Sequence, residues 1–363
     1  MFDIGFLGGG QLARMSIQAA QRMGLRCLSL DPSAFSPAAQ IAPGVRGELD
    51  DPSTLAGFLE QCKRVTLENE FIPAGSLREA CRLVRVDEAN ILPGIDTLAT
   101  IQDKLLQRQA YARAGVPSPR AWALEGSDGA WSGEPLVLKA RFGGYDGKGT
   151  RYARSQEEFE SHRDLWQGGG WLAEDYVPFR RELAVMVYRD SRGAGCFPTM
   201  ETVQENHVCS LVYPADTDAS EVALAAVEAV DGYGLFGVEL FELEDGALMV
   251  NEIAPRPHNT GHYTLDWGGV SQFEQHVRLV LGLPPAEPSG GPACMANLLG
   301  QPGAGDFRPG LRAALEIPGV HVHWYGKVES RPGRKMGHLT AVGGADVIER
   351  AVRARDAFYG AWP

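Results

Sequence analysis

The chain has 363 residues, of which 44% are hydrophobic and 22% charged, and its formal net charge is −12. This composition is typical of a globular protein, and the length suffices for two or three domains of roughly 100–200 residues each. The acidic balance argues against a nucleic acid or a membrane surface as partner, although a local basic pocket could still hold an anionic small molecule.

The cysteines and the first residues indicate where the protein works. The six cysteines are scattered and form no Cys-x-x-Cys pair, which fits reduced thiols and gives no zinc signature. The N-terminus lacks the basic segment of a signal peptide, and no apolar run approaches the ~18 residues of a membrane-spanning helix. We therefore expect a cytoplasmic protein.

Residues 1–95 are predicted to form a Rossmann-like α/β domain. Residues 3–7 have a strand pattern, Gly8-Gly-Gly10 forms a tight loop, and a helix and a second strand follow, ending at Asp31. A glycine loop with an acidic residue about 20 positions later resembles half of a dinucleotide fingerprint, and such a loop suits an anion. Two alternatives stay open, an NAD-dependent oxidoreductase and a close-packed turn that binds nothing.

Residues 96–285 are predicted to form a second domain, with a glycine-rich lid subdomain at about 117–178. Lys104 lies early in a helix, and Lys139 ends a strand that leads into Gly143-Gly-Tyr-Asp-Gly-Lys-Gly149. Four glycines in seven residues leave backbone N–H groups free to approach phosphate oxygens, which favours a phosphate-binding loop. A flexible hairpin and a lysine that merely reaches water are the alternatives.

Two glutamates carry the strongest chemical signal. Residues 237–253 have the pattern of two strands around an Asp245-Gly246 turn. A two-residue turn places Glu239 directly opposite Glu252, on what we expect to be the apolar side of the hairpin. Facing carboxylates repel unless a proton or a cation lies between them, and Mg²⁺ that carries a nucleotide phosphate is the favoured occupant. The alternative is a register slip that sends one glutamate to solvent.

Residues 293–363 follow a linker rich in proline and glycine. The segment has short strand patterns and one helical pattern, and we expect a small β-rich domain that packs on the first domain.

These stretches resemble, in order and over nearly the whole chain, the ATP-grasp superfamily, and within it the 5-(carboxyamino)imidazole ribonucleotide synthase family. The motifs that carry the resemblance are Gly8-Gly-Gly-Gln-Leu-x-Arg-Met15, Glu68-Asn-Glu70, Gln102-Asp-Lys104, the glycine segment 143–149, Asn251-Glu-Ile-Ala-Pro-Arg-Pro-His-Asn-Thr-Gly-His262 and Arg331-Pro-Gly-Arg-Lys-Met-Gly-His338. Two positions depart from common patterns, namely Ala13, where the family usually has glycine, and Ala254, where many ATP-grasp enzymes have asparagine. The second departure leaves two protein ligands for the metal.

The resemblance implies an α/β and α+β fold, in which a Rossmann-like domain precedes a two-part ATP-binding domain and a small β-rich C-terminal domain. It implies Mg²⁺ held by Glu239 and Glu252. The residues that it implies for ATP are Lys104, Lys139, Gly144, Tyr145, Asp146, Gly147, Lys148, Glu174, Asp175, Tyr176, Val177, Glu182, His207, Asn251 and Glu252.

The implied reaction is ATP- and bicarbonate-dependent carboxylation of aminoimidazole ribonucleotide in purine biosynthesis, catalysed by a homodimer. The residues implied for the ribonucleotide and bicarbonate are Gly10, Gln11, Glu70, Tyr145, Asp146, Arg256, His258, Lys327 and Arg334. Among these, Asp146, Arg256, His258, Lys327 and Arg334 are the implied catalytic residues. The alternatives are a formate-dependent glycinamide ribonucleotide transformylase, another ATP-grasp ligase, and a nucleotide-binding protein without catalysis.

Overall fold

The computed structural model describes residues 1–125, 131, 133–144, 149–167, 169–303 and 305–362. The strands are β1 (Phe2–Leu7), β2 (Cys27–Asp31), β3 (Gly44–Arg46), β4 (Cys62–Leu67), β5 (Ile91–Leu92), β6 (Ala121–Ala123), β7 (Leu136–Ala140), β8 (Thr150–Ala153), β9 (Trp171–Asp175), β10 (Arg181–Asp190), β11 (Gly193–Cys196), β12 (Met200–Glu205), β13 (Val208–Pro214), β14 (Gly234–Glu242), β15 (Leu248–Ala254), β16 (Ala293–Leu299), β17 (Val320–Trp324) and β18 (Lys335–Val342).

The helices that the structure describes are α1 (Gln11–Arg22), α2 (Pro52–Leu59), α3 (Ala74–Val84), α4 (Ile95–Gln102), α5 (Lys104–Ala114), α6 (Gln156–Ser161), α7 (Arg163–Gln167), α8 (Ser220–Ala229), α9 (Gln272–Val280), α10 (Arg308–Leu315) and α11 (Val347–Ala361). Short 3-10 helices lie at Ala38–Gln40, Glu88–Asn90 and Asn259–Leu265. None of the described helices is long and apolar enough to cross a bilayer.

The N-terminal part is a parallel sheet with the strand order β3-β2-β1-β4-β5. Helices α2 and α3 cover one face, where Leu7 and Val65 are buried. Helix α1 covers the other face together with α9, where Ile4 and Phe6 are buried. Because both faces are covered, the central strands are apolar on both sides, as parallel sheets require. This architecture agrees with the predicted Rossmann-like domain.

The glycine-rich segment lies between β7 and β8 of a small antiparallel sheet with the order β6-β9-β7-β8. The Ser155 hydroxyl accepts a hydrogen bond from the N–H of Glu158 at 3.2 Å, as the capping pattern indicates. Only one short helix, α6, follows this cap, and α7 begins two residues after it ends.

The largest sheet joins the middle and C-terminal parts of the chain. Its order is β15-β14-β10-β12-β13-β16-β18-β17, with β11 beside β10. Pairing of Leu211 with Ala296 connects β13 to β16, so the C-terminal strands extend the sheet of the middle part. They also pack on the first domain, as expected, since Tyr325 belongs to the core beside α1 and the carbonyl of Gly326 accepts a hydrogen bond from Gln40 at 2.6 Å.

Candidate active site

The β14–β15 hairpin places Glu239 opposite Glu252, as the sequence predicts, although the loop length and the pairing beside it differ from the prediction. The N–H of Leu243 bonds to the carbonyl of Ala247 at 2.9 Å, and Gly246 has φ +83°. The loop therefore has three residues rather than two, and the pairs next to it, such as Leu240 with Val250, are shifted by one position. A β-bulge then restores the predicted pairing, because it places two residues of β15 opposite one of β14.

Both glutamates lie on the side of the hairpin that faces away from the apolar core. In β14, Val238 and Leu240 are buried in that core, so Glu239 between them faces the cleft. In β15, Val250 and Ile253 are buried in the core, whereas Asn251 and Glu252 both line the cleft, because the bulge adds one residue. Our expectation that the glutamates lie on the apolar side was therefore wrong.

Lys104 offsets the repulsion between these two carboxylates. Its Nζ lies 2.6 Å from Oε1 of Glu252. Burial by itself would raise the pKa of Glu252, but Lys104, with help from Lys139 and Arg108, lowers it below the usual range. Glu252 is therefore an anion, and Glu239 contacts the His258 ring, whose Nε2 lies 3.7 Å from Oε1.

A second ionic group lies behind the first. The carboxylate of Glu174 accepts a hydrogen bond from Nε of Arg108 at 2.8 Å and is 2.7 Å from Nζ of Lys139. Glu174 and Arg108 are almost completely buried. Burial opposes ionisation of Glu174, but the two cations outweigh it and lower its pKa to about 2.

The first of two clefts next to the hairpin has a volume of about 280 Å³. The stacked rings of Phe179 and Phe241, with centroids 4.4 Å apart, form an aromatic part of its wall. The residues predicted for ATP that line it are Lys139, Glu174, Asp175, Tyr176, Val177, Glu182, His207, Asn251 and Glu252. The cleft thus combines an aromatic wall with the cation of Lys139, which suits a nucleotide.

His207 reaches this cleft from a tight turn. Asn206 and His207 have φ values of +51° and +64°, a left-handed conformation that residues other than glycine adopt rarely. Such strain is found at functional positions more often than elsewhere. Asp175, which also lines this cleft, pairs with exposed Arg120 at 3.1 Å.

The second cleft has a volume of about 650 Å³ and is lined by side chains of both charges. The acidic residues are Glu68, Glu70, Glu239 and Glu252, and the basic ones are Arg256, Lys327, Arg331, Arg334 and Lys335. Both clefts include Glu239, Glu252, His258, Asn259 and Lys335, so the two cavities meet at the paired glutamates.

Arg256 and Glu70 form a two-pronged ion pair inside the second cleft. The Nη2 of Arg256 is 2.7 Å from Oε1 of Glu70, and its Nε donates to the other carboxylate oxygen. Burial would lower the pKa of Arg256, but Glu70 raises it, so the guanidinium remains charged. A planar cation held at this point suits recognition of a small planar oxyanion.

Acidic side chains fill the first glycine loop. The N–H of Gly9 donates to Oδ2 of Asp31 at 2.7 Å, and the N–H of Leu12 donates to Oε1 of Glu68 at 3.3 Å. A Cβ at Gly10 would lie 2.1 Å from Glu68. The donors that would bind a dinucleotide phosphate are thus already used by the protein, which argues against the NAD-dependent oxidoreductase.

Comparisons with known proteins agree with this geometry over the whole chain. Family models match as a ribonucleotide synthetase preATP-grasp domain at residues 1–102, an ATP-grasp domain at 109–273 and a phosphoribosylaminoimidazole carboxylase C-terminal domain at 293–350. The N5-carboxyaminoimidazole ribonucleotide synthase of Synechococcus elongatus is 40% identical, and the alignment covers 97% of this chain and 92% of that protein. The chain belongs to the N5-carboxyaminoimidazole ribonucleotide synthase family of ATP-grasp enzymes.

Solved structures of this family superpose on the chain. The synthase of Aspergillus clavatus in complex with ADP and 5-aminoimidazole ribonucleotide has a TM-score of 0.89 at 32% identity, with 99% of each chain covered. The same enzyme in complex with ATP has a TM-score of 0.88 at 33% identity, also with 99% of each chain covered. The phosphoribosylaminoimidazole carboxylase of Schizosaccharomyces pombe is longer, since the match of 38% identity covers 93% of this chain but 64% of that protein.

Several residues predicted for this synthase family lie at the edges of the two clefts or outside the described residues. Tyr145, Asp146, Gly147 and Lys148 lie outside the described residues. Lys104 and Gly144 line a neighbouring cavity of about 490 Å³ rather than the nucleotide cleft itself. Of the ribonucleotide set, Gln11, Glu70, Arg256, His258, Lys327 and Arg334 line the second cleft, and Gly10 adjoins it through Glu68.

Three charged residues of this site were not among the site residues predicted from the sequence, namely Arg108, Glu68 and Lys335. Arg108 follows Lys104 by four positions on α5, and this spacing puts both cations on one helix face. That signal was available from the sequence. Glu68 was noted only as part of a motif, and the position of Lys335 between the two clefts depends on how β18 joins the large sheet.

Proposed function

We propose that the chain catalyses ATP- and bicarbonate-dependent carboxylation of 5-aminoimidazole ribonucleotide to 5-(carboxyamino)imidazole ribonucleotide in purine biosynthesis. One observation carries the proposal, which is that two clefts meet at Glu239, Glu252 and His258. The first suits a nucleotide, and the second is lined by both carboxylates and cations. A ligase that passes a phosphoryl group from ATP to a second substrate needs such a junction. The Aspergillus clavatus relative, crystallised with ADP and 5-aminoimidazole ribonucleotide, supports the substrate assignment.

We assign ATP to the first cleft. Its phosphates would lie near Lys104 and Lys139, its adenine beside Tyr176 and Val177, and its ribose near Glu182. All of these line the first cleft except Lys104, which lines the neighbouring cavity and contacts Glu252, a residue of both. Glu239 and Glu252 are hard oxygen donors that face each other, which fits Mg²⁺. Bound there, Mg²⁺ would neutralise charge on the transferring phosphoryl group. Within the described residues no group of three or more His, Cys, Asp or Glu could hold a metal, so phosphate oxygens would complete the coordination.

We assign the ribonucleotide to the second cleft. Its phosphate suits the cations Lys327, Arg331 and Arg334, which line that cleft. Its exocyclic amine would then lie at the junction of the clefts, beside the paired glutamates. This orientation brings the amine to where the phosphoryl group is transferred.

The chemistry has two steps. Bicarbonate, held near Arg256 and His258, attacks the γ-phosphorus of ATP in line, which gives carboxyphosphate and ADP. The amine nitrogen then attacks the carboxyl carbon, or CO₂ released from it, and phosphate leaves. The protein contributes chiefly by positioning the reactants and by its fixed cations. Three groups are candidates for accepting the amine proton, namely Asp146, His258 and the released phosphate.

A coupled assay tests the proposal. ADP release should require both bicarbonate and aminoimidazole ribonucleotide, and the carbamate product should form in equal amount. ADP that appears equally fast without the ribonucleotide, with no carbamate, would refute it. Replacing the two substrates by formate and glycinamide ribonucleotide should give no turnover, and turnover with that pair would instead identify the transformylase.

We also propose that the protein is a homodimer, as the resemblance implies. The chain has a mass of 39.2 kDa. Size-exclusion chromatography with light scattering should therefore give twice this mass, and the mass of a single chain would contradict the proposal.

A further inference from the structure

Arg108 is buried behind the nucleotide cleft. Its side chain is 4% exposed. Within the described part of the chain it is not among the residues that line either cleft. An arginine is rarely buried unless several of its donors are bonded, because desolvating the charge is costly.

The guanidinium connects two separate elements of the nucleotide site. Its Nε donates to Glu174 on β9, at 2.8 Å from Oε1. Its Nη2 donates to the carbonyl of Asn251 at 2.6 Å, and its Nη1 to that of Val250 at 3.4 Å. These carbonyls belong to the bulge that turns Glu252 into the cleft, so one side chain fixes both the bulge and the buried carboxylate.

The remaining oxygen of Glu174 bonds Lys139. Glu174 faces Val137 across β7 and β9, and Lys139 lies two positions further along β7 on the same face. The Nζ of Lys139 is 2.7 Å from Oε2 of Glu174. Lys139 also lines the nucleotide cleft, whereas Arg108 does not. The carboxylate thus has one cation that can turn to a nucleotide and one that stays.

We propose that Arg108 is a positioning residue for ATP, with two effects. First, it keeps Glu174 neutralised when Lys139 turns from that carboxylate to the triphosphate. Second, it holds the bulge so that Asn251 and Glu252 both face the nucleotide. This inference rests on the proposed function only in taking ATP as the nucleotide.

The first effect follows from the charge balance. Without Arg108, the buried carboxylate of Glu174 would have Lys139 as its one remaining cation in this group. Moving Lys139 to a phosphate would then leave a buried charge uncompensated, which is strongly unfavourable. ATP binding would have to overcome this cost, so its affinity would fall.

The decisive experiment measures the ATP dissociation constant by calorimetry for four proteins, namely the unaltered chain, Arg108→Met, Glu174→Gln and the double variant. We expect Arg108→Met to weaken ATP binding roughly 10- to 100-fold, because it leaves a buried carboxylate without its fixed partner. Adding Glu174→Gln removes that charge, so the double variant should bind ATP about as well as Glu174→Gln alone. Additive losses would mean that Arg108 affects ATP binding independently of Glu174, and they would overturn the proposal.

A conservative variant separates the second effect. Arg108→Lys keeps the charge beside Glu174 but cannot also donate two bonds to the bulge carbonyls. We expect it to restore most of the ATP affinity while kcat remains low, since Glu252 is no longer held in place. Recovery of both quantities, or of neither, would contradict the two-part role.

Controls distinguish a failure of this inference from a failure of the proposed function. Arg113→Met changes an exposed arginine of the same helix and should leave ATP binding unchanged. Binding of aminoimidazole ribonucleotide should change far less than binding of ATP, because neither Arg108 nor Glu174 is among the residues that line the second cleft. If the unaltered chain binds ATP but does not carboxylate the ribonucleotide, the proposed function fails and the four-protein comparison still stands. If Arg108→Met binds ATP as tightly as the unaltered chain, the role of Arg108 is refuted alone.

Discussion

Glu239 and Glu252 face each other across a hairpin whose loop and bulge each contain one more residue than a regular ladder would have. Their effects on the register cancel, so Glu239 still pairs with Glu252. The bulge nevertheless changes the face of the hairpin on which neighbouring residues of β15 lie. The bulge leaves Val250 in the core and gives the cleft two consecutive polar residues. The hairpin can therefore present a carboxylate pair to a nucleotide without placing either charge in the apolar core.

We expect Glu252→Gln to lower kcat by a factor of about 100 or more, because the neutral amide holds a divalent cation weakly and no longer pairs with Lys104. The fold should persist, since the amide has nearly the same shape as the carboxylate. Steady-state kinetics at saturating ATP, bicarbonate and Mg²⁺ measure the effect. Chelation of the metal with EDTA should abolish turnover in the unaltered chain.

Glu244→Gln is the matched control, because Glu244 lies exposed in the loop of the same hairpin. It should leave kcat unchanged. Near-normal turnover in Glu252→Gln, with the same thermal unfolding midpoint as the unaltered chain, would remove the basis for the metal role of this residue.

The cations Lys327, Arg331 and Arg334 of the second cleft should control affinity for the ribonucleotide and not for ATP. The Nη1 of Arg334 is oriented by the carbonyl of Glu329 at 2.9 Å. We expect Arg334→Gln to raise KM for the ribonucleotide roughly tenfold, through loss of a charge-assisted bond to its phosphate. KM for ATP should stay the same.

Arg308→Gln serves as the control for charge alone, because Arg308 is exposed at the start of α10. It should change neither KM for the ribonucleotide nor KM for ATP. A rise in KM for ATP in Arg334→Gln, with no change for the ribonucleotide, would mean that the two substrates have been assigned to the wrong clefts.

Local patterns were enough to predict most elements and the facing glutamates. The capping residue Ser155, the glycine segment before β8 and the strands of the hairpin all depend on neighbours within a few positions. The ionic contacts were harder, since Arg108 and Glu174 are 66 residues apart and meet only in the folded chain. Pairing of β13 with β16 depends on an open sheet edge, which no local pattern reveals.

The misjudged details have similar causes. An Asp245-Gly246 pair favours a two-residue turn, but the observed loop also includes Glu244. The compensating bulge lies at Asn251 of β15, several residues from the loop. The first glycine loop has the sequence of an anion site, yet the carboxyl groups of Asp31, at the end of β2, and Glu68, just after β4, accept hydrogen bonds from its N–H groups. A sequence motif cannot show that the N–H groups of its loop already donate to side chains of the same protein.

The pH dependence of stability should report the environment of Glu68. Burial raises the pKa of this carboxyl to about 7, against the opposing effects of Arg256 and the Leu12 N–H. The folded protein therefore holds a proton that the unfolded chain releases at lower pH, and the ionised side chain destabilises the fold progressively as pH rises toward and through 7. Glu68→Gln removes this penalty while keeping the oxygen that accepts from Leu12.

We therefore expect the free energy of unfolding of Glu68→Gln, relative to the unaltered chain, to increase by about 2 kcal/mol between pH 5 and pH 8. Urea denaturation at the two pH values measures it. An equal difference at both values would show that Glu68 ionises similarly in the folded and unfolded chain.

Gly237 keeps a close approach between β14 and His258. A Cβ at this position would lie 2.5 Å from Cβ and 2.8 Å from Cγ of His258. His258 cannot easily retreat, because Gln272 bonds both its N–H and its carbonyl at 2.8 Å. We therefore expect Gly237→Ala to displace the imidazole from the junction of the clefts and to lower kcat roughly 10- to 100-fold, as misplacement by about 1 Å can do.

Gly57→Ala is the appropriate comparison, because Gly57 lies inside α2, where an added Cβ meets nothing within 4 Å. That change should leave kcat unaltered and stabilise the chain by up to about 1 kcal/mol, since alanine is the better helix residue. Measuring kcat and the unfolding midpoint together separates a displaced imidazole from a weakened fold. If Gly237→Ala turns over normally, then His258 does not need its present position, and bicarbonate must be held chiefly by Arg256.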